Sequence, residues 1–175
     1  MEVTIYVIVI IAIVIVALGI IAPKKLAVNR SIIINKSLPE TFQYLKLVKN
    51  QDHWSPWKNK DPNMEQSYVG TDGEVGFISK WKGNKDVGEG EQEILSIIEN
   101  ESINSQLRFF KPWKSESIGH FELGRVDEEH TLVTWGFSGN NKFPFNILML
   151  FMNMDKTLGK DFEMGLVSLK EILEA

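Results

Sequence analysis

The C-terminal stretch FPFNILMLFMNMDKTLGKDFEMGLVSLKEILEA, residues 143–175, decides the fold. Its apolar side chains recur every three or four residues, which is typical of one buried helix face. The stripe consists of Ile147, Phe151, Met154, Leu158, Phe162, Leu166, Leu169 and Leu173. Pro144 suits a first turn, where no amide donor is needed. Thirty-odd helical residues extend roughly 45 Å, so the sequence predicts one long C-terminal helix that a broad surface must cover.

An apolar run over residues 3–22 is the second decisive feature, and Thr4 is its only clearly polar side chain. Twenty helical residues extend about 30 Å, which matches the hydrocarbon core of a bilayer. A cleaved signal peptide would carry a basic segment and a shorter apolar core, and a buried core helix or strand seldom has so long an apolar run. We therefore interpret residues 1–23 as a transmembrane anchor that contacts the membrane through residues 3–22.

The charges beside this run predict its orientation. Lys24, Lys25 and Arg30 follow it, whereas no basic side chain precedes it. Basic residues favour the cytoplasmic side of a membrane span. The sequence predicts a single-pass membrane protein whose soluble domain lies in the cytoplasm.

Composition excludes several classes of function. Acidic residues outnumber basic ones, 23 to 19, and there is no basic stripe, which argues against binding to nucleic acid. The chain has no cysteine. A disulfide scaffold, a thiol nucleophile and a thiolate metal site are therefore excluded.

The segments before the C-terminal helix predict the rest of the fold. A linker at residues 24–26 leads into a strand at residues 27–35. Ser37 and Glu40 have the spacing of a capping box, which predicts a helix to about residue 50; residues 51–61 follow as a loop or broken helix. Period-two alternation then predicts six strands, at residues 64–69, 75–81, 87–98, 103–110, 115–123 and 131–137. Consecutive strands with short turns favour an antiparallel meander, so we predict an α+β fold whose curved sheet grips the helix.

In the strand at residues 87–98, glutamates alternate with glycines and other residues, and this pattern predicts which face of the strand is exposed. Glu89, Glu91 and Glu93 share one face, which we interpret as the solvated outer face. Gly88 and Gly90 fall on the other face, where glycines allow a sharp bend or leave space beneath the strand.

The order of elements, together with short motifs, resembles the SRPBCC superfamily of START and birch-pollen-allergen-like helix-grip domains, especially its polyketide cyclase/dehydrase-like branch. The motifs are RSIII (30–34), PE (39–40), WSPW (54–57), DP (61–62), GN (83–84), VGEG (87–90), LRF (107–109), TW (134–135) and LGKDF (158–162). The likeness covers residues 27–172 of a domain at 27–175. It implies a seven-stranded antiparallel sheet wrapped around the C-terminal helix, with a deep apolar cavity. It implies no single activity, since such domains include lipid carriers, hormone receptors and cyclases.

Motifs for catalysis or metal binding are missing from the sequence. His53, His120 and His130 lie far apart and lack the spacing of metal ligands, so we interpret them as surface or rim residues. There is no Ser-His-Asp elbow, phosphate-binding loop or paired-carboxylate motif. We predict no metal and no cofactor, and we leave open whether the protein is an enzyme.

Aromatic and methionine side chains are the stronger candidates for a binding site. The chain has five tryptophans, and residues 145–152 are apolar apart from Asn146, which is more than one helix face requires. Methionine suits adaptable apolar surfaces. The predicted ligand-binding residues are Trp54, Trp57, Trp81, Phe109, Trp135, Met149 and Met152. We expect a ligand, a lid or the membrane to contact the first turns of the C-terminal helix, and the helix from Leu158 onward to pack as core.

Three hypotheses about function follow. The first is a membrane-anchored module that binds a hydrophobic small molecule or a lipid between the sheet and the C-terminal helix. The second is a cyclase- or dehydratase-like enzyme with His53, Tyr68 or Arg108 as acid or base, although the alternation points Arg108 outward. The third is a regulatory module that docks a protein through residues 145–152. A buried polar group aimed into the cavity favours the enzyme, and an entirely apolar lining excludes it.

Overall fold

The computed structural model describes residues 2–175. The elements within this range are α1 (Glu2–Ile21), β1 (Lys25–Ile34), α2 (Leu38–Lys46), a 3-10 helix (Val48–His53), α3 (Pro56–Lys60), β2 (Glu65–Val69), β3 (Ile78–Lys82), β4 (Glu89–Ile98), β5 (Ser102–Lys111), β6 (Ser115–Arg125), β7 (Thr131–Asn140), a second 3-10 helix (Phe145–Leu150) and α4 (Met154–Glu174).

The strands form one antiparallel sheet in the order β1-β7-β6-β5-β4-β3-β2. Strands β2 to β7 are the predicted meander, and β1 closes the order by pairing with β7 from Lys25–Asn140 to Ile34–Thr131. This confirms the α+β helix-grip fold. We call the end of the sheet where β1 begins, beside α1, the near end, and the opposite end the far end. By register, the near end also holds the β3–β4 turn, the β5–β6 turn and the segment after β7.

Helix α4 runs along β1 on the concave face of the sheet. Arg30 in β1 bonds Asp155 at the start of α4, and the amide of Asn35 just after β1 donates to Glu174 at its end, at 2.6 Å. The core residues of α4 are Phe162, Leu166, Leu169 and Leu173, and they pack with buried side chains of the sheet such as Ile34, Val133 and Trp135. Each large apolar side chain buried in this way contributes about 1.5–3 kcal/mol. The prediction that the helix from Leu158 onward is core is confirmed.

Gly165 shows how closely α4 approaches the sheet. A Cβ atom at this position would lie 2.7 Å from the Trp135 ring and 3.1 Å from Pro56. Any larger residue would push the helix away from the ring, so glycine here permits close contact despite its cost of roughly 1 kcal/mol in a helix interior.

The prediction of a single long helix from residue 143 is wrong. The 3-10 helix Phe145–Leu150 ends before α4, and the two are separated by residues 151–153. Asn153 starts α4 as a helix cap, because its side chain accepts a hydrogen bond from the backbone amide of Lys156 at 2.9 Å. Phe151, predicted to lie on the buried stripe, is 77% exposed.

The start of α2 also differs from the predicted capping box. Ser37 is the N-cap residue by position, but its side chain caps no backbone amide of the helix. Its hydroxyl donates to the carboxylate of Glu40 instead. The helix begins at the predicted place because Pro39 fits its first turn.

Helix α1 is long and apolar enough to cross a membrane over Val3–Ile21. Membrane spans, signal sequences and soluble core helices share these properties. The side chains of α1 are almost all exposed, however, which distinguishes it from a core helix.

Candidate ligand-binding surface

Helix α4 and its neighbours bury the concave face of the sheet unevenly. Toward the far end, Ile103, Phe121 and Val133 are at most 5% exposed. Toward the near end, Leu107 and Phe137 point to the same face of central strands yet remain partly exposed. Side chains at the middle of a sheet stay accessible only where the layer above leaves space. The concave face is therefore open in its near half.

Small and polar side chains form the middle of this open region. We call the group Gln92, Ser105, Leu107, Ser117, Gly119 and Phe137 the near concavity; strand pairing makes them neighbours across β4 to β7. Gln92 donates to the hydroxyl of Ser105 at 3.2 Å. At Gly119 a Cβ atom would lie 3.2 Å from the Leu107 side chain, so that side chain lies across the glycine. Ser105 and Ser117 are buried, so the accessible side chains of the near concavity are those of Gln92, Leu107 and Phe137, which offer apolar area and one amide group.

Trp81 and Phe109 border the near concavity on β3 and β5. Their rings meet edge-on with centroids 5.8 Å apart. Gly90 lies between them in the sheet, and a Cβ atom there would be 2.6 Å from the Trp81 ring. Of the two roles predicted for Gly90, the structure shows the bend, because the register of β4 shifts between Glu89 and Gly90, whereas the space beneath it is filled by the indole of Trp81.

A polar group lies where α3 and the first 3-10 helix meet β2. The carboxylate of Asp52 accepts hydrogen bonds from Gln66 at 2.8 Å and from the hydroxyl of Tyr68 at 3.3 Å. Lys58 donates to the side-chain oxygen of Gln66 at 2.8 Å. Burial raises the pKa of Tyr68, and the negative charge of Asp52 raises it further. The phenol is therefore held in its neutral form, as a hydrogen-bond donor.

The predicted ligand-binding residues fall into three groups. Trp54, Trp57 and Trp135 pack together in an aromatic cluster with Phe121 and Phe162, and the closest rings are Trp135 and Phe162 at 4.4 Å. Trp54 and Trp135 are 1% and 8% exposed, as core residues are. Trp81 and Phe109 border the near concavity.

Met149 and Met152 form the third group, beside the start of β1. They line a hollow of about 440 Å³ together with Pro23, Leu26 and neighbouring residues. A larger groove of about 650 Å³ lies between α3 and α4 and is bordered by Pro56, Lys60, Met164 and Val167. Neither belongs to the near concavity, so the predicted residues do not converge on one cavity.

The candidate acids and bases are differently placed. His53 is exposed, with its Nδ1 3.4 Å from the hydroxyl of Tyr44. Arg108 points outward, as predicted, and pairs with Glu91 at 2.9 Å and Glu93 at 2.6 Å. Among the described residues, no three His, Asp or Glu side chains gather as metal ligands do. Of the three candidates, only Tyr68 lies on the concave face.

Sequence reasoning missed an ionic contact that positions α4. Arg30 lies on the concave face, where it donates to Glu163 at 2.7 Å and to Asp155 at 3.0 Å, and Gly159 makes room for the guanidinium. The hydrogen bond from Arg30 lowers the pKa of Asp155. The available signal was the alternation of β1, which puts Arg30 on the same face as Ile32 and Ile34.

Comparison with known proteins identifies the fold and no closer relationship. No family model matches the chain, and no curated protein matches it. A solved structure of the Aha1 dimer from Colwellia psychrerythraea matches with a TM-score of 0.59 at 21% identity, covering 85% of this chain and 96% of that one. Norcoclaurine synthase from Thalictrum flavum, solved with dopamine and hydroxybenzaldehyde, matches with a TM-score of 0.64 at 8% identity, covering 89% and 90%. A protein from Nitrosospira multiformis matches with a TM-score of 0.61 at 15% identity, covering 85% and 96%. These matches show a shared fold.

Proposed function

We propose that this protein is a membrane-anchored module that binds a hydrophobic small molecule or a lipid in the near concavity. The observation that carries the proposal is the incomplete burial of the concave face. Leu107 and Phe137 would be covered if the sheet and α4 formed only a closed core. Leaving such side chains partly exposed forgoes about 25 cal/mol for each Å² of apolar surface, which a bound apolar ligand recovers.

The lining supports an amphipathic ligand. Binding sites for small molecules are mostly apolar, with a few placed polar groups that orient the ligand. The near concavity has this composition, since Leu107 and Phe137 supply apolar surface while the Gln92 amide supplies a hydrogen-bonding group. Helix α1 supports the membrane part of the proposal, because an anchored binding module is close to the bilayer that supplies or receives such molecules.

An enzyme is the second candidate, and one observation favours it. The concave face is not entirely apolar, and Tyr68 donates to Asp52 at its edge. A neutral phenol with a raised pKa is suited to hydrogen-bonding a substrate carbonyl, as a cyclase- or dehydratase-like reaction requires. The norcoclaurine synthase structure contains two aromatic compounds on a fold of this kind. We rank this candidate second because the Asp52 carboxylate is already engaged by Gln66.

The test is to fill the near concavity and measure binding of an apolar fluorescent probe, 1-anilinonaphthalene-8-sulfonate, to the full chain in nanodiscs. Leu107→Trp adds bulk on the concave face and should weaken probe binding at least about tenfold, which corresponds to about 1.4 kcal/mol. Leu132→Trp is the matched control, because Leu132 is 39% exposed on the outer face of β7. It should change binding less than about twofold. Equal effects of the two variants, or no saturable binding by the parent above empty nanodiscs, would contradict the proposal.

A further inference from the structure

The near end of the domain carries a cluster of exposed apolar side chains. We infer that this near end is a second membrane-binding surface, in which residues 143–152 and the β5–β6 turn lie in the interface of an anionic bilayer beside α1. The inference rests on the proposed membrane anchoring by α1. It adds that the domain is held against the bilayer and is not merely tethered to it.

Residues 143–152 are unusually apolar for an exposed segment. Phe145, Phe151 and Met152 are 60%, 77% and 52% exposed, and Phe143 and Leu148 are 55% and 47% exposed. Single exposed apolar residues are ordinary, but a contiguous patch marks an interaction site. This patch is too exposed to be core, and it needs an apolar partner.

The position of the patch identifies that partner as the bilayer. The segment contacts the last turn of α1: Asn146 donates through Nδ2 to the carbonyl oxygens of Gly19 at 2.8 Å and Ala22 at 3.4 Å, and the ring of Phe143 packs on Gly19. Gly19 precedes the end of the apolar run by three residues, or about 4.5 Å along a helix. Interfacial segments bury their apolar side about 5–10 Å into the bilayer. A span through α1 therefore brings this patch to the depth at which such segments lie.

Asn146 supports the same placement. The last carbonyl groups of a helix lack intrahelical partners, and leaving them unbonded in hydrocarbon costs several kcal/mol each. Asn146 is fully buried and supplies a donor to two carbonyls at the end of α1. A polar side chain inside an otherwise apolar exposed segment is explained if water is scarce there.

The β5–β6 turn adds an independent contact. Trp113 is 71% exposed and lies between Lys111 and Lys114. The pairing of β6 with β7 and of β7 with β1 places this turn at the near end, about 10 Å from β1 across two strand spacings. Tryptophan and lysine are the side chains that concentrate at membrane interfaces.

The two ends of the sheet differ in charge: the near end is mainly basic and the far end mainly acidic, so an anionic membrane attracts the near end. The near-end connections at residues 22–24, 61–64, 83–88, 111–114 and 141–153 carry five lysines, Lys24, Lys85, Lys111, Lys114 and Lys142, and two acids, Asp61 and Asp86. Lys111 is paired with Glu89 at 2.7 Å. The far-end connections at residues 35–37, 70–77, 99–101 and 126–130 carry seven acids against one lysine, Lys36, and His130. Basic residues near an anionic surface are attracted by about 1 kcal/mol each, so the charges favour the near end facing the bilayer.

Spin labels on single cysteines test the inference, because the native chain has no cysteine. The full chain is placed in nanodiscs of phosphatidylcholine and phosphatidylglycerol, and nitroxides are attached to Phe151→Cys and Trp113→Cys. Val75→Cys is the control, since Val75 is 62% exposed in a far-end turn, and Ile10→Cys reports on α1. Collisions with oxygen and with a water-soluble nickel chelate are compared by paramagnetic resonance. The labels at 151 and 113 should collide with nickel about tenfold less than the label at 75, while remaining accessible to oxygen.

The remaining outcomes separate this inference from the proposed function. Labels at 151 and 113 that are as accessible to nickel as the label at 75, with the label at 10 in lipid, overturn the inference and leave ligand binding intact. A label at 10 that is fully accessible to nickel overturns both the anchor and the inference. A label at 151 that is shielded from nickel and oxygen alike indicates a protein partner or a second copy of the chain and also overturns it. Probe binding by the near concavity is measured separately, so its failure does not affect this test.

Discussion

Replacing Phe162 with alanine tests whether the aromatic cluster holds α4 to the sheet. Phe162 is 3% exposed, its ring stacks on Trp135 at 4.4 Å, and it meets Trp57 edge-on at 5.9 Å. Truncating a buried phenylalanine to alanine costs about 3–5 kcal/mol, a large share of the roughly 5–15 kcal/mol that stabilises a domain. Since 1 kcal/mol shifts the melting temperature of a domain of this size by about 2–4 °C, we expect a decrease on the order of 10 °C.

The assay is thermal unfolding of the full chain in nanodiscs, followed by tryptophan fluorescence. Met164→Ala is the control, because Met164 lies on the same helix as Phe162, its side chain is 53% exposed, and it is outside the apolar patch at residues 143–152. It should lower the melting temperature by less than about 2 °C. If the two variants lowered the melting temperature equally, the assignment of Phe162 to the core and Met164 to the surface would be refuted.

Two further predictions concern ionisable groups. Asp52→Asn removes a charge and a hydrogen bond that raise the pKa of Tyr68, so the phenol should titrate at lower pH than in the parent. Ultraviolet titration measures the ionisation of the tyrosines, and Tyr68→Phe identifies which transition belongs to Tyr68. An unchanged pKa of Tyr68 would contradict the prediction. The second prediction concerns Asp155→Asn. The hydrogen bond from Arg30 lowers the pKa of Asp155 in the folded state. The ionised carboxylate therefore stabilises the folded state above its ordinary pKa of about 3.9, and this stabilisation is lost as pH falls through the lower folded pKa. The parent should therefore melt at a higher temperature than the variant at about pH 7, and the difference should close below about pH 3; a difference that is unchanged at the lower pH would refute this role of Asp155.

Much of the sheet was predictable from alternation, whereas the C-terminal break was not. Period two reports which side chains share a face, and this correctly placed Arg108 outward and Trp135 inward. Helical periodicity reports only the spacing of apolar residues. Ile147 and Phe151 have that spacing and therefore fall on the predicted α-helical stripe, although the segment that contains them has the hydrogen bonds of a 3-10 helix and a turn. Asn153 was the local signal for a new helix start, because asparagine is a preferred N-cap residue.

The candidate site was less predictable than the fold. Alternation put Gln92 on the concave face, but the meeting of Asp52 with Tyr68 depends on how the first 3-10 helix packs on β2. Composition also does not separate lining from core, since both are apolar; Trp54 and Trp135 lie in the core, whereas Trp81 borders the near concavity. Exposure decides between these roles, and exposure depends on the tertiary structure.

Helix α4 is attached to the sheet by different forces along its length. At the far end, Lys170 donates to the carbonyl of Ile33 at 2.6 Å, the amide of Asn35 donates to Glu174, and the leucine residues of the core lie between. At the near end, attachment depends largely on the guanidinium of Arg30. Ionic contacts between partly solvated groups weaken as salt increases, and buried apolar contacts do not. The near-end part of α4, beside the near concavity and the segment that contacts α1, is thus the part of the helix whose attachment to the sheet salt weakens.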